Sequence, residues 1–145
     1  MIHNPEVNHD LLEQGVQFIQ DTHGNQLIEW DQINSEDIVI IPAFGTTIET
    51  KNLLVEKNIS FDQYNTTCPF VEKVWNRSAK LGKDEHTVII HGKKNHEETK
   101  ATFSHSKENS PSIVIKDLQE AKIIADFIHG KINTQDFFKI FHDNC

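Results

Sequence analysis

The sequence predicts an α/β fold: parallel sheets with flanking helices. Three observations predict it. β-branched apolar runs recur at residues 38–41, 87–90 and 113–115. Helix-sized segments separate them. Polar loops rich in Thr, His and Lys follow the strand ends. A continuous β-branched run suits a strand covered on both faces. Strands separated by helices imply βαβ units, whose crossovers are right-handed in nearly all cases.

Each element follows in order. Met1-Ile2-His3-Asn4-Pro5 is a polar, turn-like entry to a first helix, with Glu6 and His9 on its surface. Residues 16–19 form a short strand candidate and residues 37–41 a stronger one. Pro42-Ala43-Phe44-Gly45-Thr46 turns the chain into a helix over 47–57, with Ile48, Leu53 and Leu54 apolar. Residues 59–62 are a further short strand. At Cys68-Pro69 an extended run gives way to a helix, because proline suits a first helical turn. Phe70, Val71, Val74 and Trp75 mark one face of it, with Trp75 in its core. Residues 87–90 are the next buried strand. His91 to His96 form a loop, in which His91 and Lys93 supply ordinary polarity, and residues 97–99 open a short helix or turn. Residues 112–115 are the last strand. Asp117 caps a helix with Leu118, Ala121, Ala125 and Ile128 on one face, and Gly130 ends it. Residues 133–145 carry Phe137, Phe138 and Phe141 and form a terminal helix or tail that needs cover.

The chain of 145 residues suits one ordinary domain or pieces of two small ones. No apolar run approaches the length of a membrane span, so no membrane partner is expected. The first residues lack a basic-then-apolar pattern, so no secretory signal is expected. Cys68 and Cys145 stand far apart and make no disulfide framework; a reducing, cytoplasmic compartment is expected. A net charge of −8 weighs against a nucleic-acid partner. An anionic substrate would then need a local cationic pocket. The Cys and His residues lack the paired spacing of a structural zinc site.

Cys68 heads a helix, facing the positive end of its dipole and unpaired backbone N–H groups. Such surroundings favour thiolate, which is both nucleophile and metal ligand. Ligands in open α/β sheets sit at the carboxyl ends of strands, where loops 42–46, 65–69 and 91–98 fall. Cys68, His96 and Glu98 are therefore expected to converge there. Helix N-termini beside His or Lys also suit a phosphate or diphosphate. The plainer alternatives are a buried packing cysteine at 68 and a helix-start capping pair at His96 and Glu98.

Four motifs occur in order: Ile2-His3-Asn4-Pro5-Glu6-Val7-Asn8, Ile41-Pro42-Ala43-Phe44-Gly45-Thr46, the run from Asn65 through Thr66-Thr67-Cys68-Pro69 to Trp75, and the run from Ile90 through His96-Glu97-Glu98-Thr99 to Thr102. Together they resemble the 4-hydroxy-3-methylbut-2-enyl diphosphate reductase (LytB/IspH) family, in the wording of its plant and cyanobacterial branch. The resemblance implies three similar α/β modules around a central 4Fe-4S iron–sulfur cluster, each giving one cysteine. Residues 1–64 would be the C-terminal part of the first module and 65–132 a complete second one, followed by the tail at 133–145. It implies reductive dehydroxylation of an allylic diphosphate to isopentenyl and dimethylallyl diphosphates, in isoprenoid synthesis by the methylerythritol phosphate pathway. A ferredoxin or flavodoxin would supply electrons.

Carried over by position, Cys68 resembles the family's cluster (metal) ligand. His3 and His96 resemble its diphosphate-binding histidines, and Glu98 resembles its catalytic proton relay. The chemistry suits each: thiolate for iron, imidazole N–H for phosphate oxygens, a carboxyl group for acid–base work. The other cluster cysteine motifs are absent. Cys145 matches no family cysteine, and Asn65 stands where Asp is usual. The implied ligand set is incomplete. The expectation is a partial reductase inactive alone, with a non-catalytic diphosphate-binding remnant or a subunit of a split reductase as alternative. Its compartment would be the cytoplasm, or the plastid for a plant-type source.

Overall fold

The computed structural model describes residues 1–142. Four of its helices, α1, α2, α5 and α6, start where side chains satisfy their first N–H groups. Asn4 Oδ1 accepts from Glu6 N and Val7 N and opens α1 (Pro5–Glu13), with proline in the first turn. Thr47 Oγ1 accepts from Thr50 N at 3.2 Å and opens α2 (Ile48–Glu56). Cys68 is the N-cap of α3 (Pro69–Lys83) and His96 that of α4 (Glu97–Lys107). Asp117 Oδ1 accepts from Gln119 N and Glu120 N and opens α5 (Leu118–Ile128). Asn133 Oδ1 accepts from Asp136 N and opens α6 (Thr134–Phe141), so the tail begins as a docked helix. Cys145 lies outside the described residues. No helix is long and apolar enough to cross a membrane, among the described residues.

The sheet is small. β1 (Val88–His91) pairs in parallel with β2 (Ser112–Ile115), Val88 opposite Ser112 and His91 opposite Ile115. With α4 between them the strands form a βαβ unit, and α3 packs on α4 and β1. β2 is buried along its whole length. Ile113 and Ile115 meet the α5–α6 side, and Ser112 bonds to α4. β1 is covered on one face only, since Val88 and Ile90 are half-buried while Ile89 is 49% exposed. The strand expected to be buried is thus covered on one side, and His91 closes it instead of opening a loop.

Three expected strands do not form. Residues 37–41 are extended, yet Val39 and Ile41 are buried while Ile38 and Ile40 are 65% and 55% exposed. That is one-sided burial. Their only ladder contact among the described residues is the parallel bridge Ile41–Asn65. A β-branched run supplies strand propensity, but a strand also needs a paired neighbour. Residues 59–62 bury Ile59 and Phe61 and then tighten into a 3-10 turn over Asp62–Tyr64. Residues 16–19 stay irregular, and only Gln20 bridges to Gln26. Of the expected short helix or turn, residues 97–99 open a helix, and it runs for 11 residues. In α5 Ile124 is buried, with Ala121, Ile123 and Phe127 packed beside it; of the expected face Ala121 packs there, while Leu118 and Ile128 are 88% and 71% exposed.

Apolar burial falls in two clusters. Ile33, Val39, Ile41, Leu54, Ile59 and Phe61 form one. Ile113, Ile115, Ile124, Phe137 and Phe141 form the other. Between α3, α4 and β2 lies a chain of buried hydroxyls. Ser78 bonds to Ser106, Ser106 Oγ to Ser112 Oγ at 2.7 Å, and Ser112 Oγ donates to Ser110 O at 3.0 Å. Each hydroxyl can donate once and accept twice, so these polar groups are buried with partners.

Candidate functional site

Four loops meet at one end of the molecule. Ile41 N donates to Tyr64 O at 3.1 Å and Thr66 N to Ile41 O at 3.0 Å, which sets residues 41 and 65 side by side. The loops beyond them leave together, and Cys68 N donates to Ala43 O at 2.8 Å. Asn65 Oδ1 accepts from Thr67 N and Thr67 Oγ1, at 3.1 and 2.6 Å. The next residue of the first loop, Phe44, lies 5.9 Å from the His3 ring. His3 in turn stacks on His96, with centroids 4.7 Å apart and planes 11° from parallel. His3 and His96 are thus brought together, and Cys68 is tied to them through Ala43 and Phe44.

Cys68 is half-buried and unpaired, and its side chain makes no capping hydrogen bond. Its carbonyl starts α3 by accepting from Val71 N and Glu72 N. His96 likewise caps α4 through its backbone alone, accepting from Lys100 N at 2.9 Å. The imidazole is therefore not used as a cap and faces His3, although His96 and Glu98 do stand at the helix start as the plainer alternative has them. β1 delivers this loop: Gly92 N donates to Ile115 O at 2.9 Å, and His96 N to Lys93 O at 2.9 Å.

Glu98 stands exposed in the first turn of α4. Among the described residues no hydrogen bond or ring contact joins it to His3, His96 or Cys68. Its neighbour Glu97 is the enclosed acid, 14% exposed at the side chain, and takes Lys100 Nζ at 3.2 Å. Two carboxylates at this helix start oppose an anion, and Lys100 offsets one of them. Of the polar residues read as bystanders, His9 pairs with Glu13 on the surface of α1 at 3.3 Å. His91 Nε2 donates to Lys116 O at 3.2 Å.

Two features escaped the sequence. Phe44 touches His3, although nothing in its spacing marks it as a contact. Trp75 is core as expected, 7% exposed, yet it also stacks on His105 at 3.6 Å. His105 sits in a polar helix with no motif around it. Burial, and then the charge of Lys51, push its pKa below the ordinary histidine value. Among the described residues no group of three or more His, Cys, Asp or Glu side chains could hold a metal ion. Cys68 alone does not fit an iron–sulfur cluster, which takes several thiolates.

Comparison with known proteins agrees on one family. The family model described as LytB protein matches residues 1–139. The 4-hydroxy-3-methylbut-2-enyl diphosphate reductase of Synechococcus sp. (strain CC9605) is 43% identical over 145 residues, covering 100% of this chain and 35% of the relative. That of Trichormus variabilis is 41% identical, covering 100% and 34%. The chain thus spans about a third of the length of these relatives. A solved (E)-4-hydroxy-3-methyl-but-2-enyl diphosphate reductase, described as the terminal enzyme of the non-mevalonate pathway, superposes with a TM-score of 0.65 at 28% identity, over 82% of this chain and 39% of that one. The Plasmodium falciparum reductase, at 23% identity and a TM-score of 0.67 over 81% and 33%, shares the fold.

Proposed function

Because the chain belongs to the LytB family, we propose that it carries the diphosphate-facing part of a 4-hydroxy-3-methylbut-2-enyl diphosphate reductase. The reaction would be reductive dehydroxylation of an allylic diphosphate in isoprenoid synthesis, with electrons from a one-electron donor of the ferredoxin or flavodoxin kind. The observation that carries this reading is the face-to-face pair His3 and His96 at 4.7 Å, at the start of α4. Two imidazole edges and the first N–H groups of an 11-residue helix offer donors to one anion. Lys100 beside Glu97 reduces the opposing charge.

The residues take these roles. His3 and His96 donate to diphosphate oxygens. Glu98, exposed at the same helix start, holds the proton for the leaving hydroxyl. Cys68 offers one sulfur. The parts proposed at 1–64 and 65–132 are served by separate apolar clusters, the second completed by Phe137 and Phe141 of the tail. The lack of a metal-holding group among the described residues favours a second reading, diphosphate binding without redox turnover by this chain alone.

Calorimetric titration with inorganic diphosphate and with the allylic diphosphate tests both. Charge-assisted hydrogen bonds are worth about 1.5–3 kcal/mol, so His3→Ala or His96→Ala should each weaken binding about tenfold or more. Unaltered affinity in both variants would refute the site. Anaerobic supply of iron and sulfide separates the readings: a coloured product that Cys68→Ser abolishes favours a redox role, and none leaves diphosphate binding.

A further inference from the structure

We propose that Trp75 and His105 form a clamp that fixes the 42–46 loop and, through it, positions Cys68 and His3. This inference rests on the roles proposed above for those two residues.

The clamp reaches the loop at two successive residues, 45 and 46, and Ser104 holds the chain just beyond it. Gly45 has φ +78°, and a Cβ there would lie 2.3 Å from Trp75 Cη2 and 2.7 Å from Cζ2. Only glycine lets the backbone rest on the indole. Next, His105 Nε2 donates to Thr46 O at 3.2 Å. Just beyond, Ile48 N donates to Ser104 Oγ at 2.9 Å. Residues 45, 46 and 48 are therefore pinned by α3 and α4. Immediately before them, Ala43 O holds Cys68 N and Phe44 touches His3. Ala43 and Phe44 thus lie two positions and one position before the pinned Gly45.

The two rings brace each other, with planes 7° apart. Trp75 Nε1 is buried without a hydrogen-bond partner among the described residues, so the indole is held by ring contacts and packing. Lys51 Nζ lies 5.2 Å from the indole centroid and adds a cation–π contact from α2. Trp75 and His105 touch none of the proposed ligand-binding atoms directly. They are positioning residues.

The test uses the full chain with isotopic labels, in a Cys145→Ser background so that Cys68 is the only thiol. His105→Phe keeps a flat ring and removes the donor to Thr46. Trp75→Phe keeps a smaller ring. Both should shift the backbone resonances of residues 43, 44 and 68 and the ring protons of His3. Alkylation of Cys68 should speed up about threefold or more as the loop opens locally. Residues around Ile113, Ile124 and Phe137 should keep their resonances. Folded variants with unmoved signals at 3, 43, 44 and 68 would overturn the clamp. Loss of cooperative folding in both variants would overturn it too, since the pair would then be core packing. No diphosphate enters these readouts, so a failed titration of the parent chain counts against the proposed function alone.

Discussion

At Gly92 the chain leaves β1 with no space for a side chain. A Cβ there would stand 2.4 Å from Thr99 Oγ1, and Thr99 is itself buried. Gly92→Ala should cost about 1–3 kcal/mol by overpacking, read from urea unfolding. Adding Thr99→Ala should recover part of that loss, because the two residues are in contact. Strictly additive losses would show that the crowding lies elsewhere. At this scale the sequence was legible where a residue's chemistry matches its local geometry. Cys68 before Pro69, and His96 before two acids, both mark helix starts, and both are N-caps. It was not legible where a residue works through a distant one. Nothing local links Trp75 to His105, or Phe44 to His3.

Between elements, α2 and α4 are joined by one carboxylate. Glu49 takes Lys107 Nζ at 2.8 Å and Ser104 Oγ at 2.6 Å. Chiefly Lys107, and then Ser104, pull its pKa from 4.5 to about 2. The folded form thus holds the proton less tightly than the unfolded chain. The stabilisation is fully present above pH 4.5 and is lost as the pH falls through about 2. Acid unfolding of Glu49→Gln should lack this contribution, so its stability should fall less steeply over that window. An unchanged acid limb would show that the bond contributes nothing, as for many exposed pairs. Helices with an amphipathic face and a cap were readable, and α2, α3 and α5 begin where their caps indicate. Strands were less so. Residues 37–41 have the propensity of β1 and β2, but pairing is a property of two segments, and theirs is a single bridge.

Over the whole molecule, the tail helix completes the second apolar cluster. Phe141 is fully buried, and Phe137 packs against Phe127 at 4.1 Å. Phe141→Ala should cost about 3–5 kcal/mol, a large share of a typical margin of 5–15 kcal/mol. Thermal unfolding would report it, and a change below 1 kcal/mol would mean that α6 is not integral to the fold. Three phenylalanines in so short a stretch announced the need for cover, but not that β2 would provide it. The hydroxyls of Ser78, Ser106 and Ser112 carry a different consequence. Alanine at the middle position would leave the buried Ser78 hydroxyl without its partner, while Ser112 keeps Ser110 O; apolar groups of matched volume at both 78 and 106 would leave no hydroxyl stranded. Departure from serine is therefore easiest when 78 and 106 change together. Across lineages these sites should be inherited as a set, kept or replaced in concert, while nearby surface positions drift one at a time.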